Sequence, residues 1–171
     1  MAKAERKYLA HYLDANFDTT YANTNYIRIG KDLEEFSVEM SPNIETKSNI
    51  LGENSVLHTG YEVTASADPV YYEYDEKLTE KLMEIAMLRK SADECKTSYV
   101  EVLLKPGENG ADPTVVRAVR EDVKLIPTSY GGDTSGVQVP FTINFDGNRV
   151  EGDFEKNTDG KWIFTAKSTG L

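Results

Sequence analysis

The sequence predicts a mainly β (α+β) protein, a β-sandwich or barrel of antiparallel strands flanked by one main α-helix and carrying a long loop arm. Three observations predict it. Only residues 75–90 hold an apolar stripe at helical spacing, Leu78, Leu82, Ile85 and Ala86. Most remaining apolar residues alternate at period two or form short runs between turn signals. Residues 41–59 make a longer connection than compact domains use, yet hold five large aliphatics, Ile44, Ile50, Leu51, Val56 and Leu57.

The helix expectation is detailed. Asp75 is read as N-cap, Glu76 lies in the positive first turn, and Arg89 and Lys90 suit the negative last turn. Leu78, Leu82 and Ile85 are expected to pack on a sheet surface offered by Val102 or by Phe141, Ile143 and Phe145. Met83 and Met87 lie on another helix face. Either a loop of the same subunit covers them, or they stay partly exposed, or they touch a neighbouring subunit.

Residues 1–25 read as an N-terminal arm. Tyr8, Leu9, Tyr12 and Leu13 suit one or two helical turns, and 17–25 is rich in Thr, Asn and Tyr. Its aromatics need a surface, either this domain's or a neighbour's. Residues 26–171 read as a single β domain with the extended arm 41–59. Strands are expected at 26–29, 36–40 (closed by Pro42), 60–67, 99–104, 115–126, 137–145, 150–155 and 161–167. Turns fall at Pro106-Gly107, Asn109-Gly110, Gly131-Gly132, Asp146-Gly147-Asn148 and 157–160. The arm is either a loop folded back over the core or a segment that orders against another molecule, by packing or by strand addition.

Composition restricts the function classes. The 171 residues suffice for one domain with its own core. A net charge of −10 argues against a DNA-gripping surface, which needs a basic stripe. It allows an acidic wall that DNA slides past, and it also suits plain solubility. Cys95 is the only cysteine, so no intramolecular disulfide forms, and it reads as a small, partly buried core residue. The charged N-terminus lacks the apolar run of a signal peptide, and no stretch reaches the roughly 20 apolar residues of a membrane span. Folding in a cytoplasm, away from any membrane, is expected.

No catalytic or metal constellation emerges, so neither an enzyme nor a cofactor is expected. His11 and His58 are the only histidines and are read as surface residues. The run Gly131–Gly136 lacks the lysine of a phosphate loop, and no helix pattern follows it. The oxygen ligands around Asp146 do not fall at EF-hand positions.

Taken together, a small β domain, an apolar-studded arm between early strands, one amphipathic helix and a closing β-meander resemble the tail tube (major tail) proteins of long-tailed bacteriophages. Tube proteins of contractile tails and of type VI secretion share that fold. The stretch 26–67, with Ile44-Glu45-Thr46-Lys47 and 50–60 inside it, looks like the family's strand–stacking-arm–strand unit. Cys95-Lys96-Thr97-Ser98-Tyr99-Val100 is similar to tail proteins of phages and prophages of Gram-positive bacteria. The pattern covers residues 26–167.

The resemblance implies a structural virion protein assembled in the host bacterial cytoplasm and located in the virion tail. Six subunits would form a ring, and rings would stack through the arm and terminal segments. DNA would pass down the channel without specific binding. The tape measure and tail terminator proteins would be further partners. Some family members carry an immunoglobulin-like domain at the C-terminus, and none is expected here. The alternative is a carbohydrate- or peptide-binding β-sandwich module using Trp162, or Tyr71, Tyr72 and Tyr74, as its platform.

Overall fold

The computed structural model describes residues 2–167. Met1, at the start of the expected N-terminal arm, and 168–171, the end of the expected domain, lie outside the described residues. In chain order the elements are β1 (Leu9–Asp14), β2 (Tyr26–Ile29), β3 (Val38–Glu39), β4 (Pro42–Ser48), β5 (Asn54–Tyr61), β6 (Thr64–Ala67), α1 (Lys77–Leu88), β7 (Lys96–Lys105), β8 (Thr114–Pro127), β9 (Gly131–Asp133), β10 (Gly136–Gln138), β11 (Phe141–Lys156) and β12 (Trp162–Ala166). The mainly β expectation with a single α-helix holds across the described residues.

The main sheet has eight strands. Seven run in the order β2-β1-β7-β8-β11-β6-β3, and β12 adds to β11. All its pairings are antiparallel. The key strand is β11. Its first half pairs with β6 and its second half with β12, while both halves pair with β8. The register shifts between Phe145 and Gly147 and again between Gly147 and Val150, where Gly147 (φ 95°) and Asn148 (φ 56°) take left-handed backbone. The expected turn at Asp146-Gly147-Asn148 is therefore an irregularity inside one long strand. A bulge bends a strand without ending it.

That bend curls the sheet. Tyr12 on β1 and Tyr26 on β2 meet Phe154 of β11, with ring centroids 4.8 and 5.7 Å apart. Trp162 stacks on Phe154 at 4.9 Å. Strands distant in the sheet order thus share a core, and the sheet is a half-barrel. On its other face Leu78 and Leu82 of α1 pack with Val123, Leu125, Phe141 and Ile143, and Phe145 lies partly buried beside them. Ile85 is buried as well. Of the surfaces expected to receive the helix, Phe141, Ile143 and Phe145 do so. Val102 lies in the opposite cluster with Tyr12 and Phe154, because side chains one residue apart on a strand point to opposite faces.

Several local expectations are corrected. The N-terminal stretch is not helical beyond one short turn at Arg6–Tyr8. Leu9–Asp14 is an inner strand between β2 and β7, buried from Ala10 onward. Residues 16–25 are a loop tied to the domain: buried Asp14 accepts backbone N–H bonds from Asn16, Asp18 and Asn25 at 3.0, 2.9 and 2.8 Å. The helix starts at Lys77 with Glu76 as N-cap, and Asp75 sits in left-handed backbone before it. Asp75 is therefore not the cap, and its own N–H donates to Glu80 Oε1. Arg89 ends the helix as a left-handed C-cap whose N–H reaches Ile85 O. Pro42 opens β4 instead of closing a strand, and Gly131–Gln138 folds into the small hairpin β9–β10.

Candidate functional site

The feature that distinguishes the surface is the β4–β5 hairpin, which occupies the expected arm 41–59. Its strands pair from Pro42↔Tyr61 to Ser48↔Asn54, with a register shift after Asn43. At the tip, Asn49 Oδ1 accepts N–H bonds from Leu51 and Glu53 at 2.9 and 3.0 Å, a side-chain-closed turn. Gly52 supplies the left-handed residue that this turn requires (φ 76°). This two-stranded sheet is separate from the main one.

Every residue of β4 is exposed, and so is every residue of β5 except Gly60. The five aliphatics keep 61% (Ile44), 102% (Ile50), 76% (Leu51), 68% (Val56) and 47% (Leu57) of their surface accessible. The segment is therefore not folded back over the core. Its apolar groups are divided among three places. Ile44 and Val56 share one face of the ribbon, Leu57 is on the other, and Ile50 and Leu51 stand at the tip. No single face closes onto the domain. An isolated two-stranded hairpin is marginal in water, and the aliphatics of this one receive little cover from the described residues of the domain.

Met83 and Met87 have different surroundings. Met83 packs against the core beside α1. Met87 is exposed, and so is the adjacent Leu88. Only the C-terminal end of the helix thus offers apolar surface outward. Among the described residues the main sheet leaves strands open at its ends: β2 pairs only with β1, and β3 only with β6. On the outer side of β11, β12 has no further partner among the described residues.

Trp162 is half-buried between Phe154 and Tyr12 and braces the curl. Tyr72 and Tyr74 form an edge-to-face pair at 5.3 Å, of which Tyr74 is well exposed.

A polar chain through the sheet escaped sequence reading. His11 is buried, not a surface residue. Arg6 donates to His11 Nε2 at 2.9 Å, and an arginine has no acceptor, so Nε2 carries no proton. The ring proton is then on Nδ1 and is donated to the Tyr99 hydroxyl, which donates onward to Glu101 Oε2 at 3.2 Å. Arg149 closes the chain on Glu101 and on Glu121 Oε1. Burial, aided by the Arg6 and Arg28 charges, lowers the His11 pKa to about 4. Burial also raises the Tyr99 hydroxyl and the Glu121 carboxyl above their ordinary values. A glutamate two residues from Tyr99 on the same strand face was the only sequence signal for this network.

Cys95 is buried after α1 and its thiol faces Lys90 O at 3.5 Å. Among the described residues no His, Cys, Asp and Glu gather as a metal site. No helix there is long and apolar enough to cross a membrane. No protein-family model matches the chain, and no curated protein matches it.

Proposed function

We propose that this chain is a self-assembling structural subunit of the tail tube type. Six copies close into a ring, and rings stack into the tube that conducts DNA during ejection. It resides in the virion tail, with tape measure and tail terminator proteins as neighbours. The observation that carries this reading is the exposed β4–β5 hairpin, whose Ile44, Ile50, Leu51, Val56 and Leu57 have no cover on their own domain. Burying one such side chain contributes about 1.5–3 kcal/mol, a gain available only on another molecule. The open edges at β2, β3 and β12 support ring closure by the same reasoning, since unpaired strand edges template further pairing. The exposed end of α1, at Met87 and Leu88, is a second candidate contact.

The binding-module alternative has less support, because Trp162 is engaged in core stacking. The test is electron microscopy of the concentrated protein beside a variant lacking residues 45–57. Rings or tubes are expected from the first. A folded domain that builds no long tubes is expected from the second. A wild-type chain that stays monomeric at high concentration and shifts on adding a glycan would refute the reading.

A further inference from the structure

A groove runs along β2 and the turn after it, and its two ends differ in chemistry. One end, about 200 Å³, is mostly apolar, with Ile27, Val70, Leu78 and Phe141, and also carries the carboxylates of Asp32, Glu73 and Glu76. The adjoining end, about 520 Å³, is lined by Arg6, His11 and Phe36. Arg28, Ile29, Lys31 and Leu33 line both. As a scale, an apolar cavity of about 150 Å³ holds a benzene ring, so the apolar end accepts a branched aliphatic side chain.

The second end is cationic in a chain that is acidic overall. Lys7 and Lys31 are neutralised by Glu5 and Glu73. Arg6 and Arg28 differ. Arg6 donates to Leu9 O, Phe36 O and His11, and Arg28 donates to Lys7 O. Neither forms an ion pair among the described residues, and Glu34, which also lines this end, bridges neither. Their uncompensated charge is felt at the His11 ring. The groove therefore suits an occupant with an aliphatic group followed closely by a carboxylate.

The chain presents that combination itself. The hairpin tip reads Ile50-Leu51-Gly52-Glu53, with Ile50 and Leu51 pointing into solvent. The seven residues of β4, at about 3.3 Å each, carry the tip roughly 20 Å from its base. Because Ile50 is fully exposed, the tip does not sit in its own groove. We propose that the β2 groove seats the hairpin tip of a second copy of this chain. Ile50 and Leu51 enter the apolar end, and Glu53 lies against Arg28 and Arg6. This rests on the assembly reading and gives the arm a specific receptor.

The test is intermolecular disulfide cross-linking of the full chain in a Cys95→Ser background. One protein carries Leu51→Cys at the tip and another Lys31→Cys at the exposed groove rim. Mixed and mildly oxidised, the two should give a cross-linked dimer at least tenfold above that of Leu51→Cys mixed with Val137→Cys, an exposed position on β10. Arg28→Glu should lower the yield about tenfold, and Glu53→Arg on the partner should restore it. Equal cross-linking at Val137 would overturn the proposal, as would absence of the Lys31 product. No recovery on charge reversal would overturn the placement of Glu53. If the Lys31 product is absent while wild type still forms tubes that the 45–57 deletion abolishes, the seat falls and the assembly reading stands. If wild type also stays monomeric, both fall.

Discussion

At His11 a donor from Arg6 on one nitrogen and the Tyr99 hydroxyl on the other hold the ring neutral. Folded, it takes a proton only near pH 4, whereas an unfolded chain takes it near 6.5. Between these values the unfolded state binds more protons, so stability falls as pH drops through that window. The contribution is complete above about pH 6.5, lost by about 4, and worth about 3 kcal/mol for a shift of this size. Carboxylates across the chain change charge as the pH falls, so the readout is a difference. Urea melts at pH 7 and 4.5 should show a smaller acid loss in His11→Gln than in wild type. Two packing predictions share this scale. Leu82 is wholly buried under α1, and Leu82→Ala should cost about 2–5 kcal/mol by thermal or chemical melting. A Cβ added at Gly152 would lie 2.3 Å from Thr165 O and 2.5 Å from the Phe164 ring. Gly152→Ala should therefore destabilise by about 1–3 kcal/mol, as overpacked positions do.

The hairpin and the helix show why elements differ in legibility. The α1 stripe was readable because one helix face meets one core, so Leu78, Leu82 and Ile85 repeat at the helical period. The hairpin carries apolar groups on both faces and at its tip, so no period betrays it as two strands. Strand β1 was misread for a related reason. It is buried on both faces, which removes alternation, and Leu9 and Leu13 stand four apart as in a helix. For the hairpin, ordering each residue costs about 1–2 kcal/mol of backbone entropy, with no apolar burial on the domain to offset it. Hydrogen exchange on monomeric protein should accordingly show residues 44–57 unprotected while β7 and β8 are strongly protected. Equal protection throughout would mean that the ribbon is stable by itself and needs no partner.

For the whole molecule, the acidic balance bears on the proposed tube. Each phosphate–cation contact releases counterions and holds DNA in place, so a conducting lumen should be acidic or neutral. A structure of the assembled ring checks this, and a continuous basic lumen would contradict it.

What the sequence determined alone was the content of the fold: a mainly β chain, its one helix, the strands at 26–29, 99–104 and 115–126, the β11–β12 turn, and an arm with unspent aliphatics. These follow from local rules, namely side-chain period and turn chemistry, which act within a few residues. The tertiary structure decided where distant pieces meet. It placed β1 inside the sheet and sent β11 past a bulge to two different neighbours. It buried His11 between Arg6 and Tyr99 and set Ile27 and Phe141 around one groove. Those outcomes depend on contacts between residues distant in the chain, 88 positions apart for His11 and Tyr99. Burial and hydrogen-bond partnership are properties of such contacts, and no local pattern encodes them.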